Sequence, residues 1–108
     1  MTDQHTLDRL YATLQERRDA DPSESYTAKL LAKGPQKIAK KVGEEGVEAA
    51  LAGACGSPGE LVAESADLLY HLSLLWIARG VEPAAVWDAL EGRTGQSGLA
   101  EKAGRAKE

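Results

Sequence analysis

The chain has 108 residues, a formal net charge of −4 and a single cysteine. This length predicts one domain, residues 1–108, with a limited core, and the acidic balance argues against nonspecific binding to nucleic acid. The longest apolar run is interrupted by Glu64 and Asp67 and falls short of a membrane span, and the N-terminus lacks a signal-peptide core. Cys55 cannot form an internal disulfide and is expected to be a small buried residue. These features predict a cytoplasmic protein with neither a nucleic-acid nor a membrane partner.

The first half of the chain shows helical patterns, with no alternating run long enough to predict a strand. An amphipathic helix is predicted over about residues 3–19, and a short helix over 26–31 is stopped at Gly34. Pro35 suits the first position of the next helix, which is predicted over roughly 35–54.

The second half predicts two more helices and a tail. Ser57 to Glu60 has the spacing of a capping box, so a long helix is expected to begin there and to run to Arg79. A shorter helix follows from Pro83 to about Glu91. Residues 92–108 are rich in Gly, Ser, Lys and Arg and are expected to form a flexible basic tail. The predicted fold class is all-α, an antiparallel helical bundle.

Four carboxylates, in two pairs, lie where acids are costly. Glu45 and Glu48 are one turn apart on the third helix, and the helical wheel places Glu45 in its apolar stripe. Glu64 and Asp67 are one turn apart on the fourth helix. Residues 61–78 of that helix are apolar on nearly every face and contain no Lys or Arg, so they predict a buried helix whose acids lack a cation of their own.

These two pairs predict a metal site. The short connection between the two helices favours an antiparallel arrangement, which would let the four carboxylates converge. A cluster of oxygen ligands is what Mg²⁺ or Mn²⁺ prefers. The predicted metal ligands are therefore Glu45, Glu48, Glu64 and Asp67.

Some of the neighbouring residues have plainer interpretations. Glu44 and Glu48 also form a salt-bridge ladder with Lys37 and Lys41 at helical spacing, which is a common use of such residues. His71, one turn beyond Asp67, is more often a packed, hydrogen-bonded residue than a metal ligand.

The order of these motifs resembles a known family. The Glu-Glu-x-x-Glu and Glu-x-x-Asp pattern is similar to that of the all-α nucleotide pyrophosphohydrolases, the MazG-like superfamily. A closer resemblance, over about residues 5–106, is to the phosphoribosyl-ATP pyrophosphatases of histidine biosynthesis. It is carried by four segments: residues 25–31 (SYTAKLL), 41–45 (KVGEE), 66–71 (ADLLYH) and 95–98 (GQSG).

The resemblance implies hydrolysis of 1-(5-phosphoribosyl)-ATP to 1-(5-phosphoribosyl)-AMP and pyrophosphate. Mg²⁺ held by the four carboxylates would polarise the phosphate and orient water, with Glu44 or a metal-bound carboxylate as proton acceptor. Basic residues are expected to hold the other phosphates, and the resemblance suggests further contacts from two hydroxyls. The predicted substrate-binding residues are Lys33, Lys37, Lys41, Ser25, Thr27, Arg93, Lys102 and Arg105.

A chain of this length does not easily cover an all-apolar helix, so a homodimer is expected to complete the bundle. Three alternatives stay open. The first is a pyrophosphatase of the same superfamily that acts on other nucleoside triphosphates. The second is a di-iron bundle, which is disfavoured because no Glu is followed by His at the third position. The third is a helical dimerisation module without activity.

Overall fold

The computed structural model describes residues 5–94, and within that range it contains five helices and no strand. The predicted all-α fold is confirmed. The helices are α1 (Thr6–Glu16), α2 (Tyr26–Lys33), α3 (Pro35–Cys55), α4 (Pro58–Arg79) and α5 (Pro83–Thr94). The first is shorter at both ends than predicted, and the last extends to Thr94, so residues 92–94, predicted to belong to the tail, are helical. The rest of that tail, with Lys102 and Arg105, lies outside the described residues.

The ends of the helices are set by local chemistry. The capping box at the start of α4 is complete, because the Glu60 amide donates to Ser57 Oγ at 3.1 Å and the Ser57 amide donates to Glu60 Oε1 at 2.9 Å. Gly34 separates α2 from α3 with a φ of 92°, and Gly80 ends α4 with a φ of 70°. Both are backbone conformations with a positive φ, which residues other than glycine rarely adopt.

Helices α3 and α4 form an antiparallel hairpin, joined by residues 56 and 57. At one end, Pro35 and Ala39 of α3 lie beside Leu75 and Arg79 of α4. At the other end, residues 51 and 52 of α3 lie across from residues 60, 63 and 64 of α4. This pairing brings the two acidic segments of the sequence opposite one another.

The hydrophobic core occupies one half of the hairpin only. It is formed by α1, α2, the start of α3 and the C-terminal half of α4, and its buried apolar members are Tyr11, Leu14, Leu30, Ile38, Leu74, Trp76 and Ile77. Trp87 of α5 packs edge-on against Trp76, and its indole N–H donates to Asp8 of α1 at 3.0 Å. The core therefore packs against the C-terminal half of α4 and leaves its N-terminal half outside.

The prediction that α4 is buried along its whole length is wrong for the single chain. Val62 is 72% exposed, and Val47 and Leu51 on α3 are each 59% exposed. The hairpin projects from the body of the protein, in line with a radius of gyration of 16.0 Å, against about 13 Å for a compact domain of about 100 residues.

Helix α4 is long and apolar enough to cross a membrane by length and composition alone, but such helices also occur in protein cores.

Cys55 was expected to be buried and is exposed instead. It is the last residue of α3, at the tip of the projecting hairpin. Sequence pattern identified the end of the helix there but not that the core stops well before it.

Candidate active site

Three of the predicted carboxylates meet on the hairpin. One oxygen each from Glu45, Glu48 and Glu64 lie within 4.8 Å of one another. Glu45 is buried, Glu64 is half-buried and Glu48 is exposed, so the cluster extends from the protein interior to solvent. The one-turn spacing on α3 and the antiparallel pairing with α4 bring these groups together.

Glu45 is the buried member of this cluster, at 6% exposure. It lies on the same face of α3 as Ile38, which is fully buried, as the helical wheel predicted. Its Oε1 lies 3.5 Å from the ammonium of Lys41, one turn earlier on α3. Its Oε2 is also buried and has no hydrogen-bond partner among residues 5–94. A buried carboxylate oxygen without a partner is energetically costly. A cation bound at Oε2 would offset this cost.

The charge state of Lys41 follows from its surroundings. The nearby phenol of Tyr26, and after it Glu45 and Glu44, raise the pKa of the Lys41 ammonium, while partial desolvation opposes them. Lys41 therefore carries its positive charge throughout the neutral pH range.

The donor set fits a divalent cation such as Mg²⁺ or Mn²⁺. Three carboxylates this close repel one another unless positive charge lies between them, and one of their oxygens is buried without a partner. Hard oxygen ligands of this kind are those that Mg²⁺ and Mn²⁺ select. An acidic cluster on a helical hairpin can thus hold a metal ion against a polyphosphate.

Asp67 does not join the other three at the same separation. It is exposed, one turn beyond Glu64 on α4, and the mutually close group contains Glu45, Glu48 and Glu64 without it. Glu44, the predicted proton acceptor, is also exposed and outside that group. The sequence spacing gave the position of Asp67 along α4 but did not determine its distance from α3.

His71 is buried, at 5% exposure, and both of its ring nitrogens have protein partners. Nδ1 lies 2.7 Å from the backbone carbonyl of Asp67, and Nε2 lies 3.1 Å from the hydroxyl of Tyr26. Because the carbonyl can only accept, Nδ1 carries the proton, and in the neutral ring Nε2 accepts from Tyr26. His71 is therefore a packed residue rather than a metal ligand in this fold, as the plainer interpretation held.

Tyr26 is the residue in this region that sequence reasoning missed. Its ring stacks with Tyr70 and meets His71 edge-on, although Tyr26 itself is half exposed. Tyr26 lies in the segment 25–31 that carries the family resemblance. Its contact with His71, 45 positions away, could not be predicted from the local sequence pattern.

The two predicted hydroxyl contacts have structural partners. Ser25 Oγ accepts from the Ala28 amide at 3.2 Å and caps α2. Thr27 is 2% exposed, and its hydroxyl lies 2.7 Å from that of Tyr70. The Thr27 hydroxyl is thus paired within the fold, and its contact with the substrate stays a prediction.

The Lys and Arg residues that were predicted to bind phosphate lie in separate parts of the fold. Lys33 and Lys37 are exposed near the junction of α2 and α3, and Lys37 is one turn before Lys41. Arg93 is in the last turn of α5, a helix whose Trp87 packs on the opposite half of α4 from Glu64.

An open cavity of about 500 Å³ adjoins the cluster. Its lining combines carboxylates with apolar side chains: Glu48, Glu60, Glu64, Leu51, Ala52, Ala63 and Cys55. A pocket lined by both carboxylates and apolar side chains suits a metal-bound nucleotide.

Comparison with known proteins identifies the family. The profile described as Phosphoribosyl-ATP pyrophosphohydrolase matches residues 7–94. The chain belongs to this family. It is 58% identical over 99 residues to the phosphoribosyl-ATP pyrophosphatase of Azospirillum brasilense, covering 92% of this chain and 89% of that protein.

Two further relatives carry the same name. The phosphoribosyl-ATP pyrophosphatase of Paramagnetospirillum magneticum (strain ATCC 700264 / AMB-1) is 53% identical over 105 residues, which cover 97% of this chain and 96% of that protein. That of Gluconobacter oxydans (strain 621H) is 53% identical over 102 residues, which cover 94% of this chain and 77% of that protein. The similarity therefore extends over nearly the whole chain and includes both carboxylate segments.

Proposed function

We propose that this protein hydrolyses 1-(5-phosphoribosyl)-ATP to 1-(5-phosphoribosyl)-AMP and pyrophosphate, a step of histidine biosynthesis, in a reaction that depends on Mg²⁺. The observation that carries the proposal is the convergence of Glu45, Glu48 and Glu64 in a chain of this family. The names of its relatives support the choice of substrate.

Glu45, Glu48 and Glu64 would hold the metal ion, with Asp67 one turn along α4 as a further carboxylate. When bound, Mg²⁺ or Mn²⁺ supplies charge neutralisation of the polyphosphate and activation of water. Glu45 would be the most firmly positioned ligand of the metal ion, because its burial holds the side chain in one place. Glu48 and Glu64 face the cavity, where the substrate would bring its phosphates.

The remaining roles follow from charge and position. Glu44, or a carboxylate of the cluster, would accept the proton of the attacking water. Lys41 and Lys37 lie one and two turns before Glu45 on α3 and would bind phosphate oxygens, with Lys33 nearby. Arg93 would serve the same purpose together with Lys102 and Arg105, which lie outside the described residues.

We also propose that the protein is a cytoplasmic homodimer, and the projecting hairpin supports the dimer. Val47, Leu51 and Val62 are exposed on the two helices of the hairpin, and Leu51 also lines the cavity. Apolar surface of this kind marks an interface more often than a free face. A second copy of the chain would cover it and would bring a partner's residues close to the carboxylates.

The substrate assignment is tested by pyrophosphate release from phosphoribosyl-ATP, with ATP, dATP and dUTP as comparison substrates. Release should require added Mg²⁺, stop on addition of EDTA, and be far faster with phosphoribosyl-ATP than with the others. Faster release from a common nucleoside triphosphate would favour the broader pyrophosphatase function instead. No release from any nucleotide by folded protein would reject catalysis.

A further inference from the structure

Lys41 contacts the buried member of the carboxylate cluster. Its ammonium lies 3.5 Å from Glu45 Oε1, and the Lys41 side chain is 38% exposed whereas that of Glu45 is 8% exposed. One partner of the pair is therefore fixed in the interior, and the other is a flexible chain that reaches in from solvent.

This ion pair satisfies Glu45 only in part. A carboxylate buried without a countercharge is strongly unfavourable, so Lys41 stabilises the fold when no metal ion is bound. Glu45 Oε2 nevertheless stays without a hydrogen-bond partner among residues 5–94. The geometry leaves Glu45 with one oxygen paired and one open.

We propose that Lys41 is a resident countercharge of Glu45, which a divalent cation displaces on binding. The inference rests on the metal site of the proposed function and assigns Lys41 an effect on that site. An ammonium and a divalent cation at the same carboxylate repel each other, so Lys41 weakens metal binding. Its flexible stem lets it leave at little cost, and the displaced ammonium stays within one turn of Glu45.

The test is Mn²⁺ affinity, measured by electron paramagnetic resonance on the full-length protein at neutral pH. Lys41→Met is compared with Lys40→Met, which removes the same charge from an exposed position next to it. Lys41→Met should bind Mn²⁺ roughly tenfold more tightly than wild type, the effect of removing a unit charge about 6 Å from a divalent ion in a water-like dielectric. Lys40→Met should change the affinity by less than about twofold, because Lys40 lies about 140° around α3 from Glu45 and its more distant charge is screened by solvent and salt.

A second measurement does not depend on binding curves. Without metal, Lys41→Met should unfold at a lower temperature than Lys40→Met, because Glu45 has lost its partner. Saturating Mn²⁺ should raise the unfolding temperature more for Lys41→Met than for either wild type or Lys40→Met. If Lys41→Met does not fold without metal, Lys41→Gln keeps a hydrogen-bond donor for Glu45 and serves in both measurements.

Equal or weaker Mn²⁺ affinity in the Lys41 variants than in Lys40→Met would overturn this inference and leave the proposed function standing. Failure of folded wild-type protein to bind Mn²⁺ would overturn both, since there would be no site for Lys41 to occupy. Tighter binding confined to the Lys41 variants is the result the inference requires.

Discussion

The Tyr26 hydroxyl lies 3.1 Å from Nε2 of His71 and joins the start of α2 to the middle of α4. Beside it, the Thr27 and Tyr70 hydroxyls lie 2.7 Å apart and join the same two helices. Two consecutive residues of α2 thus contact two consecutive residues of α4, one turn beyond Asp67. This double contact fixes α4 at the boundary between the core and the projecting hairpin.

Tyr26→Phe should therefore destabilise the protein without removing the metal site. The substitution keeps the ring and leaves the buried Nε2 of His71 unpartnered, at a cost of about 1–3 kcal/mol. Urea unfolding should show this loss, while Mn²⁺ affinity should stay within about twofold of wild type, because no carboxylate of the cluster is touched. A folded Tyr26→Phe protein that no longer binds Mn²⁺ would show instead that this contact belongs to the metal site.

Lys41→Met should separate metal binding from substrate binding. We expect Mn²⁺ affinity to rise while KM for phosphoribosyl-ATP rises by roughly tenfold or more, since a charge-assisted hydrogen bond to phosphate is worth about 1.5–3 kcal/mol. Steady-state kinetics at saturating Mg²⁺ measure the effect, with Lys40→Met as the control. An unchanged KM would remove Lys41 from the substrate-binding residues.

The capping box at the start of α4 should make stability depend on pH. Hydrogen bonds from the Ser57 backbone amide and then its hydroxyl lower the pKa of the Glu60 carboxyl. The folded pKa thus lies below the unfolded value of about 4.3. Glu60 therefore contributes its full stabilisation above that unfolded value and loses it as pH falls through the lower folded pKa. Between pH 6 and pH 3, the unfolding temperature of Glu60→Gln should fall by less than that of wild type. Equal falls in unfolding temperature for the two proteins would contradict this account.

The exposed apolar face of the hairpin should be the dimer interface. Val62→Asp places a charge on the most exposed of these side chains, which a buried interface cannot accommodate without a partner. Sedimentation velocity should show a dimer for wild type and a monomer for Val62→Asp. Circular dichroism checks that the helices persist. A monomeric wild-type protein at the highest soluble concentration would refute the proposed dimer.

Local chemistry made much of this fold predictable. Pro35, Ser57 and Gly80 marked helix ends that the structure confirms within one residue, because caps and left-handed glycines act over a few residues only. The apolar stripe around Ile38 correctly placed Glu45 in the interior. The convergence of Glu45, Glu48 and Glu64 then followed from one short loop and the helical period.

Long-range packing was what the sequence could not supply. The partner of His71 is 45 residues away, and nothing in either segment identifies the other. The sequence predicted that the apolar first half of α4 is buried, yet Val62 is exposed because no other helix within residues 5–94 covers it. Asp67 shares a face with Glu64, but its separation from α3 depends on how far the two helices diverge, which spacing along one helix does not give.

The most direct test of the metal-dependent hydrolysis is pyrophosphate release from phosphoribosyl-ATP by Glu64→Gln and Glu60→Gln. The two substitutions are chemically identical and lie one turn apart on α4, but only Glu64 belongs to the close cluster. Glu64→Gln should lower kcat by roughly a hundredfold or more, the equivalent of about 2.7 kcal/mol of transition-state stabilisation, and should weaken Mn²⁺ binding. Glu60→Gln changes a carboxylate that lines the cavity but lies outside the close cluster, so it should keep Mn²⁺ binding and lower kcat far less than Glu64→Gln. Full activity in Glu64→Gln would contradict the assignment of the carboxylates to a catalytic metal site.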